Sequence, residues 1–364
     1  MTVEFIGLVS TQDASESLLP YGKPIDRQYV AASATAHENA GFDRVLIGYF
    51  SQAPDGFQVA SQVAFQTETL SPLLAHRPGF VAPTVAARAF ASLDQLSDGR
   101  LSINVISGGD DVEQARDGDF LSHDERYERT DEYLDVLKKT WDSTAPFDHD
   151  GKYYQVRGLH SPVKPVNGRI PIYFSGSSEA AIRVAAKHAD VYMLWGEPVE
   201  NVREVVRKVR AAAAEFGRDK HIRFSLSLRP VLAHSEEAAW AKADRILASA
   251  RDNLEKSPFF RARPAVPQNV GSQRLLQIAG SGRVADERLW TEIAALTGAR
   301  GNSTGLVGTP QQVAESLLAY YDVGVSTFLI RGFEPLADTV QYGRHLIPLV
   351  RRLIAERSDQ RIAA

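Results

Sequence analysis

Serine, arginine and histidine recur where short β-rich runs of the chain end. EFIGLVS closes on Ser10, RVLIGY on Tyr49, SPLLAHR on His76 and Arg77, LSINVIS on Ser107, and IPIYFSG runs into Ser175 to Ser178. VYMLWG, FSLSLRPVLA and TFLIRG bring Trp195, Arg229 and Arg331 to the same stations. Hydroxyls and guanidinium groups dominate this set, and carboxylates are scarce in it. A two-carboxylate glycosidase or an oxygen-ligated metal site needs the reverse. Planar guanidinium forks suit phosphate, carboxylate and sulfonate oxygens, so the strand ends read as an anion-binding set that includes Ser10, His76 and Arg77.

The sharpest local signal is FSGSSEAAIRVAAKHAD, where a strand meets Ser175-Gly176-Ser177-Ser178 and a helix follows at once. The first amides of a helix and its positive dipole end can hold a phosphate; the same serines also fit an ordinary N-cap. HDERYERTDEYLDVLKKTW reads as one long helix carrying His123, Arg126, Tyr127 and Tyr133, with His123 or Asp124 as its cap and its i,i+4 charges as a solvated face. Trp195 fits either core packing or the wall of a site. His76 and His188 have no partners at ligand spacing and the chain has no cysteine, so no metal site is expected.

The elements that must position these residues alternate. Eight β-rich runs are separated by stretches of helical spacing, such as TVAARAFASLDQLS, with Pro83 and Thr84 near its start and Gly99 past its end. Near-continuous apolar strands in such a series predict an α/β fold, a closed (β/α)₈ barrel covered by helices, with active-site residues at the C-terminal strand ends. An open doubly wound sheet is the rival, but no Gly-x-Gly-x-x-Gly follows the first strand. The expectation is one barrel domain over residues 1–364. HDGKYYQVRGLHSPV reads as a small hairpin turning at Asp150-Gly151, and residues 253–304 as a lid insertion without a clear strand.

Composition narrows the function classes. The 364 residues are 44% hydrophobic and 24% charged, with 41 Lys and Arg against 45 Asp and Glu, a net charge of -4. Neither sign gathers into a run, which argues against a nucleic-acid face. With no cysteine, disulfides, thiolate metal sites and cysteine nucleophiles drop out, and a reducing compartment fits. MTVEFIGLVSTQDASES lacks the pattern of a signal peptide and no long apolar run follows, so the cytoplasm is expected and a membrane is not.

The chain resembles the bacterial luciferase-like flavin monooxygenases, and within them the reduced-FMN-dependent alkanesulfonate monooxygenases. The residues carrying the resemblance are Arg77-Pro78, Pro83 to Arg88, Leu93 to Arg100, Asn104 to Gly108, His123 to Tyr127, Tyr173 to Ser178, Trp195 to Pro198 and Leu306-Val307-Gly308. The resemblance implies a (β/α)₈ barrel that takes reduced FMN and O₂ as co-substrates, the flavin coming from a separate NAD(P)H-dependent reductase. It implies phosphate contacts at Ser177 and Ser178 with help from Tyr127, and isoalloxazine contacts near Tyr49, Asn104 and Ser107. It places Arg300 on a mobile loop that closes over substrate and flavin and keeps water out. It also implies a homo-oligomer, dimer or tetramer.

Three departures bear on the substrate. Where alkanesulfonate monooxygenases offer an Arg and then a His on the seventh strand, this chain has Ser227 and Arg229; their Tyr after the eighth strand corresponds to Phe333; and the region of a cysteine near the second strand holds Gln52 or its neighbours. The implied activity is cleavage of the C-S bond of an organosulfonate to sulfite and an aldehyde, with Arg229, Arg300 and Arg331 neutralising the anionic group, Trp195 forming an apolar wall and Phe333 facing the substrate. The alternatives are oxygenation of another organosulfur or heterocyclic substrate, deazaflavin-dependent hydride transfer, and a barrel that only carries flavin.

Overall fold

The computed structural model describes residues 3–256, 267–300 and 303–363, with side chains through 357. The eight runs read from the sequence are all strands: β1 Glu4–Leu8, β2 Arg44–Ile47, β3 Ser71–His76, β4 Ser102–Ile106, β7 Ile172–Ser175, β8 Val191–Trp195, β9 Arg223–Leu232 and β13 Thr327–Ile330. They pair in the order β9-β13-β1-β2-β3-β4-β7-β8, and β8 pairs back onto β9, so the fold is a closed eight-strand parallel barrel with surrounding helices. Leu73 pairs with Ser102, Ile103 with Ile172, and Phe5 with Phe328. Phe5, Leu73, Ile103, Ile172 and Phe328 are all buried, as strands covered on both faces require.

Local chemistry fixes the helix starts. Asp26, Asp55, Ser178 and Thr309 cap helices through their side chains, and prolines open the helices Pro83–Leu96, Pro310–Asp322 and Pro335–His345. The long helix His123–Asp142 is capped by Ser122, not by His123 or Asp124: Ser122 and Glu125 form a reciprocal capping box. The hairpin is present as β5 Phe147–Asp150 and β6 Gln155–Leu159, antiparallel.

The segment read as a strandless excursion carries regular structure. The helix Glu236–Lys256 runs into its start; 257–266 and 301–302 lie outside the described residues. Beyond them come the helix Val270–Ala279, the two-residue strands β10 Val284–Ala285 and β11 Leu289–Trp290, and the helix Glu292–Thr297. β11 pairs antiparallel with β12 Gly305–Gly308, which pairs parallel with the second half of β9. Trp290 is fully buried in a cluster with Val231, Ile293, Val307 and Phe333. Two-residue strands are too short to show a period, which is why they escape a reading by alternation.

β9 changes partner midway. Its residues to Leu228 pair with β13, and Arg229 onward with β12. Pro230, which has no amide hydrogen to give a ladder, stands where this switch occurs. The chain divides into two compact units: Met1–Val45, Met193–Lys208 and Arg223–Ala364 form one, Leu46–Tyr192 and Val209–Ile222 the other.

Candidate functional site

In the second unit, β7 ends in Ser175 and the helix Glu179–His188 starts behind Ser178. Ser178 Oγ accepts from Ala181 N at 3.2 Å, so the serine is a helix cap. It also meets the phenol of Tyr127, whose burial raises its pKa while the Ser178 hydroxyl works the other way. Gly176 makes the approach possible: a Cβ there would lie 2.7 Å from Ala181 Cβ and 2.9 Å from Tyr127 Oη. Tyr192 donates its hydroxyl hydrogen to Gly176 O. A glycine, two half-buried serines, a helix N-terminus and a phenol therefore share one turn, and this donor set fits a phosphate.

The other strand-end residues of this unit are already engaged. Ser175 Oγ donates to Asn104 Oδ1 at 3.1 Å, and Ser107 Oγ is 2.9 Å from Thr130 Oγ1. His76 Nε2 is 2.7 Å from Tyr133 Oη, and burial holds its imidazole down at about 4, so the ring is neutral. Arg77 lies 4.6 Å from the ring centre of Tyr49 and 2.7 Å from Glu113, with Asp117 at 3.6 Å. Tyr49 donates to Asp117 at 3.0 Å; burial first, then this acceptor, pushes the phenol up to about 12. Glu113 and Asp117 belong to the helix Asp111–Arg116 and its C-cap, just after β4. Gln114 of the same helix is fully buried and over Gly108.

In the first unit, Arg229 is fully buried, lies 3.5 Å over the Phe333 ring and donates to Gly332 O at 3.0 Å. Its Nη1 is 2.6 Å from Glu16 Oε2, while Arg331 Nη2 is 3.5 Å from Glu16 Oε1. Burial would raise the Glu16 carboxyl, but Arg229 and then Arg331 bring it down to about 2. Ser10 lines a small cavity beside this trio, together with Ser15, Arg229 and Arg331. Ser227 Oγ is buried without a hydrogen-bond partner.

Trp195, half-buried, packs on Leu275, Ala294 and Ala299. Ala299 takes a left-handed φ of 50°, its carbonyl accepts from Ser272 Oγ at 2.7 Å, and half-buried Arg300 follows it.

The strand-end carboxylates that the sequence seemed to lack are thus supplied from elsewhere: Glu16 from the loop after β1, Glu113 and Asp117 from the segment after β4. The acids in STQDASES and DDVEQARDGD were the visible signal. His188 has acidic neighbours in the fold. Asp131 and Asp135, one turn apart on His123–Asp142, bring carboxylate oxygens within 4.8 Å of its imidazole. Its partners come from another helix, so spacing along the chain did not show them. Lys187 Nζ already sits 2.8 and 2.7 Å from the two carboxylates. Among the described residues no helix is long and apolar enough to cross a membrane.

Comparison with known proteins agrees on the fold. A family model described as luciferase-like monooxygenase matches residues 5–327. A riboflavin lyase crystallised with modified FMN and riboflavin is 21% identical with a TM-score of 0.80, covering 97% of this chain and 92% of that one. DmoA from Hyphomicrobium sulfonivorans is 24% identical with a TM-score of 0.77, covering 97% and 88%. EDTA monooxygenase from Chelativorans sp. BNC1 is 20% identical with a TM-score of 0.78, covering 97% and 94%.

Proposed function

The chain belongs to the luciferase-like monooxygenase family, and from that premise we propose that it is the oxygenase component of a two-component system, using reduced FMN and O₂ on an organosulfonate. The observation that carries the flavin part is the turn at Gly176 to Ser178 against Tyr127. Ser177, Ser178 and the first amides of the helix Glu179–His188 hold the phosphate, and Tyr127 adds a donor. Tyr49, Asn104 and Ser107 contact the ring system. When bound, the reduced flavin supplies the electrons that activate oxygen.

For the substrate, Arg331 and Arg229 carry the positive charge that receives the anionic head group, and Trp195 and Phe333 offer apolar faces. Arg300 follows a backbone corner pinned at Ala299 and closes over the reactants, excluding water. The balanced outcome is aldehyde, sulfite, water, oxidised flavin and a proton: the C-S electron pair leaves with sulfur, one oxygen atom enters the aldehyde, and the other becomes water with the two electrons and two hydrogens of the reduced flavin. The protein works in the cytoplasm as a homo-oligomer, beside a separate NAD(P)H-dependent flavin reductase.

An anaerobic titration with reduced FMN, with oxidised FMN and reduced deazaflavin as comparators, tests the first half. Preference for reduced FMN is expected, and the pair Ser177→Ala with Ser178→Ala should weaken it by about 1 kcal/mol per lost hydrogen bond. Preference for deazaflavin would mean hydride transfer, and binding of oxidised FMN without oxygen-dependent product would mean a carrier. Sulfite release across a sulfonate panel tests the second half, with Arg300→Ala expected to lose turnover while retaining flavin binding.

A further inference from the structure

We propose that Glu16 sets the charge selectivity of the Arg229–Arg331 pair, cutting back its pull on a dianionic head group far more than on a monoanionic one. The inference rests on the organosulfonate reading and names the residue that would make it selective. Two guanidinium charges face one carboxylate, each arginine addressing a different oxygen, at 2.6 and 3.5 Å. The trio keeps one net positive charge. Arg229 is fully buried, whereas the side chains of Glu16 and Arg331 stay 15% and 26% exposed, so an incoming anion meets Arg331 with Glu16 beside it.

The carboxylate is fixed in place. Asn253 Nδ2 donates to Glu16 O at 3.1 Å, and Ser15 Oγ donates to Phe333 O at 2.5 Å, which ties the loop to the segment that carries Arg331. The adjoining cavity is also lined by Ser10 and Ser15, whose hydroxyl hydrogens are already given to Gln12 O and Phe333 O, so these serines do not discriminate by charge. Selection by charge must therefore come from the trio. A second negative charge on the ligand gains from the arginines but is opposed by Glu16 at close range. At an effective dielectric near 20 and about 6 Å, that opposition is on the order of 100-fold, less where solvent reaches.

The test is equilibrium binding to the intact, flavin-free protein at pH 8, comparing an alkyl sulfonate with the alkyl phosphate of the same chain length, a dianion at that pH. The wild type should bind the sulfonate, and Glu16→Gln should shift the sulfonate-to-phosphate ratio toward the phosphate by at least about tenfold. Glu16→Asp, which keeps the charge, should hold the ratio near that of the wild type. Arg331→Gln, which leaves Glu16 on Arg229, should weaken the sulfonate by at least about tenfold; should Glu16→Gln not fold, this variant and Glu16→Asp decide the matter. An unchanged ratio in Glu16→Gln, undiminished sulfonate binding in Arg331→Gln, or no binding of either anion to the wild type overturns the proposal. Charge selectivity that holds while no sulfite forms in turnover supports Glu16 in this role and counts against desulfonation alone.

Discussion

Arg77 and Arg229 are the same residue type at equivalent stations, one just past the end of β3 and the other on β9 where its ladder changes partner, and each lies over an aromatic ring. Their neighbours differ. Arg77 meets two carboxylates, Glu113 and Asp117, which leaves its cluster one charge negative. Arg229 shares a single carboxylate with Arg331, which leaves its cluster one charge positive. A strand-end arginine is therefore available to an anionic ligand only as far as the loops leave it so. By that measure Arg77 braces Tyr49 and the helix Asp111–Arg116, while the Arg229 cluster keeps charge to offer.

Deleting each arginine probes the difference most strongly. Arg229→Ala removes a fully buried guanidinium, strands much of the Glu16 charge and opens a void against Phe333, so a loss of about 3–5 kcal/mol is expected in chemical denaturation. If Arg229→Ala cost no more than Arg77→Ala, the contrast between the clusters would be broken.

Acid titration comes next. The folded Glu16 pKa of about 2 lies below the ordinary 4.5. A depressed carboxyl stabilises the fold above its unfolded value, and that contribution is lost as the pH falls from about 4.5 through 2. The gap corresponds to on the order of 3 kcal/mol. The stability of wild type should therefore fall more steeply between pH 5 and pH 3 than that of Glu16→Gln, and parallel slopes would remove Glu16 from the account.

Arg77→Ala should cost less, about 2 kcal/mol, because Glu113 and Asp117 are 19% and 22% exposed and can take up water once the guanidinium is gone. The smallest effect belongs to Tyr49→Phe, which removes one hydrogen bond to Asp117 at the half-buried rim and should cost about 1 kcal/mol in the same measurement. A much larger loss would show that the phenol, rather than Arg77, organises this cluster.

Much of the architecture was legible in the residues. Runs such as LSINVIS and VYMLWG could only be strands covered on both faces, and the Asp150-Gly151 turn marked its hairpin. Elements whose identity depends on a partner were not legible: Leu289–Trp290 is a strand only because β12 lies beside it, and Val284–Ala285 only because Leu289–Trp290 does. The site divides the same way. The turn at Gly176 to Ser178 lies within one stretch of sequence with the helix it caps. The contact of Asp131 with His188 joins two helices across 57 positions.

The sequence by itself determined the alternation of strands and helices, the placing of serines and arginines at strand ends, and the serine-rich helix start. Each depends on neighbours within a few residues, where periodicity and capping chemistry act. Only the tertiary structure decided the charge those arginines present. Glu16 lies 213 positions from Arg229 and 315 from Arg331, and no local pattern reaches that far. Burial then turned the long-range encounter into a fixed ion pair, because a guanidinium withdrawn from water needs a carboxylate close by.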